Sequence, residues 1–251
     1  MGRWWVAGLV VVGCGSSDAV LRESEVFVEP DTGFYVADHD VPVETLAEAL
    51  ALEDPVVESS GEALTVAQVN GHDDVWPRTA RKSLTYCIDR SAFGAAASAV
   101  DKAVSEAAAD WEKSADVQFV HSAQEDGRCS RFNTSVVFNV RPVKGRSYLA
   151  RSFFPSQRRA VRELLIDATA LPPPQPWSLT GVVRHELGHV LGLRHEHTRL
   201  RSNPCFEDEQ WRAVTPYDRR SVMHYPQCAG VKSGDLVLTD LDRRGAATLY
   251  P

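Results

Sequence analysis

The stretch His185-Glu186-Leu187-Gly188-His189-Val190-Leu191-Gly192-Leu193-Arg194-His195 constrains this chain more than any other. The apolar spacing around it predicts a helix from about Ser178 to Leu191. His185 and His189 are four residues apart, so both project from one face of that helix. Gly192 can take a positive φ and end the helix in a sharp turn. His195 can then return to the same point. Three neutral imidazoles around one point can bind one zinc ion and leave a coordination position open, which is the pattern of a catalytic site rather than a structural one. Zinc lowers the pKa of bound water to about 7. Glu186, between the two helical histidines, is placed to take that water's proton. The plain alternative is a helix that carries these residues for packing alone.

The motif resembles that of the metzincin metallopeptidases. Ser221-Val222-Met223-His224-Tyr225-Pro226, with Met223 lying 28 residues past His195, resembles their methionine turn. His195-Glu196-His197-Thr198-Arg199 and the Met-His-Tyr turn are similar to the astacin branch. Leu149-Ala150-Arg151-Ser152-Phe153-Phe154-Pro155 and the ending Thr239–Pro251 look more like the matrixin branch. Astacins usually carry an acidic-basic pair where Leu200-Arg201-Ser202-Asn203-Pro204 stands here. The resemblance covers about residues 74–251 and implies an α+β (mixed α/β) zincin-like fold. In that fold a twisted, mostly parallel sheet has an antiparallel edge strand, above an active-site helix and a Met-turn. It implies one catalytic Zn2+ held by His185, His189 and His195, with Met223 beneath it. It also implies a zinc endopeptidase acting on proteins or peptides, with Glu186 as general base and Tyr225 as a supplementary ligand that stabilises the oxyanion. The strand resembled by Ser147–Phe154 would edge the cleft and hold extended substrate as an added strand. The rival reading is a non-enzymatic zinc-containing adhesion or binding lipoprotein of the cell envelope that keeps the fold. Such a module has no need of a carboxylate at position 186.

Other segments read as follows. Phe34–Val36 is a strand candidate and Val43–Leu52 a short helix. Ser83–Ile88 is a strand, and Ser91 can cap a helix whose apolar face runs from Phe93 to Trp111. Val117–Val120, Ser135–Val140, Ser147–Phe154 and Leu164–Ala168 read as strands, and about Leu241–Leu249 as a last helix. This order suggests a mixed sheet with helices stacked on it. His39, His72, His121, His197 and His224 lack ligand spacing and read as surface or packing residues, as do Trp76, Trp111, Trp177 and Trp211 as packing residues.

Residues 1–13 read as an export signal: Arg3, then an apolar run from Trp4 to Val12 too short to span a membrane. Val11-Val12-Gly13-Cys14 resembles a bacterial lipobox, so Cys14 would carry lipid and tether the chain at the cell envelope; secretion with Cys14 incidental is the alternative. Cys87, Cys129, Cys205 and Cys228 then allow two disulfides in three pairings. Cys87–Cys129 and Cys205–Cys228 are preferred because each closes a local loop. Free buried thiols are the alternative.

Charge divides the chain. Residues 15–72 hold 13 Asp/Glu against Arg22 alone, a net of −12, and residues 73–251 hold 25 Lys/Arg against 21 Asp/Glu, a net of +4. An acidic tether and pro-segment should therefore attract the catalytic body that starts at residue 73. The overall charge of −7 argues against a nucleic-acid partner, and a monomer is expected. Astacin pro-segments resemble this arrangement, and there an aspartate occupies the zinc's open site. The usual Phe-x-Gly-Asp form is absent, which leaves Asp40 as the candidate switch and Asp38 as the second choice; exposed loop carboxylates are the alternative.

Overall fold

The acidic segment supplies a small sheet of its own. Phe27–Val28 (β1), Tyr35–Ala37 (β2) and Val41–Val43 (β3) pair antiparallel in that order, with Val36 opposite Pro42. These strands belong to a computed structural model that describes residues 27–30, 32–37, 40–46, 63–174, 176–199, 209–225, 228 and 235–251. The export signal, Cys14, Asp38, His39, Leu200–Pro204 and Cys205 lie outside the described residues. So does most of the helix expected over Val43–Leu52; its first residue, Val43, is in β3 instead.

Ala63–Val69 (β4) and His72–Asp73 (β5) form a hairpin around Asn70-Gly71, both at positive φ (52° and 77°), as a tight hairpin turn requires. The sequence reading ended the acidic segment at residue 72, but β4 packs with the body. Leu64 and Val66 are buried, and Leu64 belongs to the main core. Apolar alternation along β4 outweighs the acidic character of the preceding residues.

Leu84–Ile88 (β6) leads into Arg90–Phe93 (α1), a 3-10 turn over Gly94–Ala96, and Ala97–Glu112 (α2). The helix expected as one piece is interrupted where Gly94 takes a φ of 55°. Its cap is Asp89 rather than Ser91: the Asp89 carboxylate accepts from Ala92 N at 3.0 Å. Val100, Ala103, Val104, Ala107 and Trp111 form the buried stripe of α2. Phe119–His121 (β7), Phe138–Val143 (β8), Ala150–Arg151 (β9) and Glu163–Asp167 (β10) follow.

With β6 these strands make a five-stranded sheet in the order β7-β6-β8-β10-β9. Neighbours are parallel except β9, which runs antiparallel at the edge, placing Arg151 opposite Leu165 and Ala150 opposite Ile166. Side chains alternate across the sheet. Leu164 and Ile166 enter the main core under the helices, while Leu165 joins Val36, Val143 and Tyr148 on the other face. Three strands depart from expectation, β7 by running over Phe119–His121 in place of Val117–Val120. Strand β8 starts at Phe138 because Asn133 Oδ1 draws Ser135 N into a turn at 2.9 Å. Strand β9 keeps only two paired residues of the eight expected, Ala150 and Arg151, opposite Ile166 and Leu165 of its single neighbour.

Leu179–Val190 (α3) lies against α2, with Trp111 Nε1 donating to Arg184 O at 2.9 Å. Leu193–Arg194 (β11) and Trp211–Thr215 (β12) flank β4 antiparallel. Asp240–Leu249 (α4) closes the chain with a Thr239/Asp242 capping box. Cys87 and Cys129 form a disulfide with Cα atoms 5.6 Å apart. Cys228 is also disulfide-bonded, to a residue outside the described ones.

Candidate active site

Helix α3 is started by Ser178, whose Oγ accepts from Gly181 N at 2.9 Å. It carries His185 and His189 one turn apart. At its end Gly192 adopts a φ of 86°, and a Cβ there would stand 2.0 Å from the Asp74 carbonyl oxygen. Both the backbone angle and the space require glycine. The chain then reverses into β11, where Thr65 Oγ1 donates to the carbonyls of Arg194 and His195 at 3.1 and 3.2 Å. This fixes His195 beside the helical pair.

The three imidazoles converge. His185 Nε2 lies 3.1 Å and His189 Nε2 lies 3.2 Å from His195 Nε2. His185 Nδ1 donates to Val222 O at 2.7 Å and His189 Nδ1 to Leu193 O at 2.8 Å. A carbonyl can only accept, so these Nδ1 atoms hold the protons and the Nε2 lone pairs face each other. Facing lone pairs repel unless a cation lies between them. Burial lowers His189 to about 4, against the opposing pull of Asp40, which keeps the ring in its neutral, ligating form.

The fourth group is Asp40, 3% exposed. Its Oδ2 lies 3.4, 3.6 and 3.4 Å from Nε2 of His185, His189 and His195. Tetrahedral zinc with ligands at about 2.0–2.1 Å separates them by about 3.3–3.4 Å. The donor set therefore fits one zinc ion in size and in chemistry. Asp40 Oδ1 and Glu186 Oε2 are buried beside it with no hydrogen-bond partner among the described residues, as expected where a cation and water complete a site.

Met223 lies under the cluster: a Cβ on Gly188 would be 2.3 Å from its sulfur. The turn is held by Asp242, which accepts from Ser221 Oγ at 2.6 Å and Val222 N at 2.9 Å. It thereby positions the Val222 carbonyl that orients His185. The Tyr225 ring stacks on His185 with centroids 5.4 Å apart, and its hydroxyl donates to Asp40 Oδ2. Glu186 is 3% exposed, and burial together with the Asp40 charge raises its carboxyl well above the usual range. A cavity of about 330 Å³ opens beside Glu186 and Tyr225, lined by Leu149, Ala150, Trp177, Val182 and Leu236.

Among the other histidines, His197 stacks on His195 and His224 bonds Tyr217 OH, both buried, while His121 stacks on Tyr86 and His72 is exposed on β5. Trp76 and Trp111 are core residues and Trp177 reaches the cavity. The sequence reading missed Asp242, Glu29 and Arg151. The capping pattern Thr239-x-x-Asp242 was a usable signal for the first; no local signal marks the other two.

A convergent histidine triad over a methionine turn, on a mixed sheet with one antiparallel edge, defines a zinc metallopeptidase of the metzincin type. The matrixin family matches residues 75–203, 129 of the 251, and the chain belongs to that family. It is a zinc-dependent metalloendopeptidase, and its substrates are proteins or peptides. Among solved structures, myroilysin is similar at 18% identity and a TM-score of 0.51, over 74% of this chain and 98% of that one. The hatching enzyme zinc-protease HCE-1 of the medaka Oryzias latipes is similar at 17% identity and a TM-score of 0.38, over 61% and 73%. No curated protein matches the chain.

Proposed function

We propose that the chain is a latent endopeptidase in which Glu186 is the general base, Tyr225 the oxyanion donor and Asp40 the residue that blocks the metal. The observation that carries this reading is the placement of Asp40 Oδ2 at the three Nε2 atoms. Bound zinc supplies a Lewis acid and makes water a nucleophile near neutral pH. Glu186 accepts the proton of the attacking water and passes it to the leaving amine. Tyr225 donates its hydroxyl proton to the oxygen on which negative charge develops. That hydroxyl is held by Asp40 in the full-length chain, so one carboxylate occupies both the metal's open position and the oxyanion donor. The edge of β9 lies along the cavity, where an extended peptide can add as a strand.

Cleavage of casein should be abolished by a chelator and restored by added zinc. Activity that persists in chelator would overturn the reading. We further propose a monomer exported by residues 1–13, with residues from 15 onward serving as acidic tether and pro-segment. In this reading it is anchored at a bacterial envelope through Cys14. Labelled fatty acid should enter the wild-type chain and not Cys14→Ser; equal labelling would remove the anchor.

A further inference from the structure

Arg151 is fully buried (0% exposed), yet its pairing comes from the acidic segment. From β9 it points to the sheet face away from the helices, opposite Leu165. Its Nε and Nη2 donate to Glu29 Oε1 and Oε2, each at 2.6 Å. Tyr148 OH donates to Glu29 Oε1 at 2.5 Å, and Thr32 Oγ1 to Oε2 at 2.7 Å. Glu29 is 1% exposed. Burial pushes its carboxyl up, but Arg151 and Tyr148 more than offset this and hold it at about 2. Glu163 of the body accepts through Oε1 from Asn139 and Arg141. Arg151 Nη1 has no hydrogen-bond partner among the described residues. Val36, from the same small sheet, packs beside this pair with Tyr148 and Leu165.

The segment thus places two carboxylates on two different sets of partners. Asp40 sits at the histidines and Glu29 sits on a fork of donors that needs no metal. A bidentate guanidinium with a phenol beside it is a built receptor for a carboxylate. By contrast, Glu44 meets Arg158 at the surface, where an ion pair contributes little.

We propose that Arg151 and Tyr148, the latter at the wall of the active-site cavity, form a carboxylate-binding site whose donors are distinct from the three histidines. It grips the N-terminal segment through Glu29 and keeps it bound, as an acidic peptide ligand, after the connection to the body is cut. The consequence for latency rests on the reading of Asp40 given above; the grip itself does not. Cutting the chain would then be insufficient to activate it, because the segment must also leave Arg151.

The test uses the full chain with a specific protease site inserted between Leu46 and Ala63. After cutting, retention of the segment is measured by size exclusion, and its dissociation constant by dilution. The wild-type segment should co-elute with the body. Glu29→Gln, which leaves the sequence of the body intact, should weaken retention by about two to three orders of magnitude, because it strands a buried charge. Glu44→Gln should change it by less than about fivefold. The pair Glu29→Gln with Arg151→Gln should lose less than the two single effects combined. Asp40→Asn should keep most of the segment bound whether or not activity appears, which separates this site from the latency reading. Loss of the wild-type segment on cutting, or undiminished retention of the Glu29→Gln segment, would overturn the proposal.

Discussion

Glu186→Gln in the processed enzyme is expected to keep one zinc per chain while peptide cleavage falls by about 10²–10⁴-fold. The exchange keeps the shape of the side chain. The carboxylate it removes is buried, and its Oε2 has no hydrogen-bond partner among the described residues. The exchange breaks no hydrogen bond at Oε2 and leaves no partner stranded, so the fold should hold. The metal should hold too, because its imidazoles are oriented by Val222 O and Leu193 O and not by Glu186. What is lost is the group that moves the proton. Zinc content by atomic absorption and kcat/KM on one peptide separate the possibilities. Unchanged kcat/KM would remove Glu186 as base, and a loss of zinc would make it a structural residue.

The metal site was legible because its rules are local. Spacings of four and six residues place His185, His189 and His195, and Gly192 supplies the turn between helix and β11. Met223 and Tyr225 needed the resemblance, since nothing in a single sequence reports that residues 28 and 30 positions beyond His195 fold back under it. Helix α3 is readable from apolar spacing and the glycine that stops it, whereas nothing in the run Ser147–Phe154 reports that only Ala150 and Arg151 pair as an edge strand. Strand β4 is masked in the sequence by the net charge of −12 over residues 15–72. The alternation of Leu64 and Val66 and the Asn70-Gly71 turn were the finer signals. The Glu29–Arg151 pair joins residues 122 positions apart, and only tertiary structure brings it together.

Asp40→Ala in the uncut, full-length chain should switch on peptide cleavage that the wild type lacks before any trimming. Asp40 is held by Tyr225 OH, and its Oδ2 stands 3.4–3.6 Å from three Nε2 atoms, an approach that becomes favourable with a cation between them. The hydrogen bond from Tyr225 to the Asp40 carboxylate alone contributes about 1.5–3 kcal/mol, so losing it opens the site by about 10- to 150-fold. Alanine removes the carboxylate from the metal position and frees the Tyr225 hydroxyl at once. Activation should still fall short of that in the fully processed enzyme, because Glu29 continues to hold the segment on Arg151. Adding Glu29→Gln to Asp40→Ala should close much of that gap, while Glu29→Gln alone should raise activity little, since Asp40 can still reach the histidines. The comparison needs protein verified as uncut by intact mass before and after the assay. Equal activity of wild type and Asp40→Ala under those conditions would mean that Asp40 does not guard the metal, whatever its position among the three histidines.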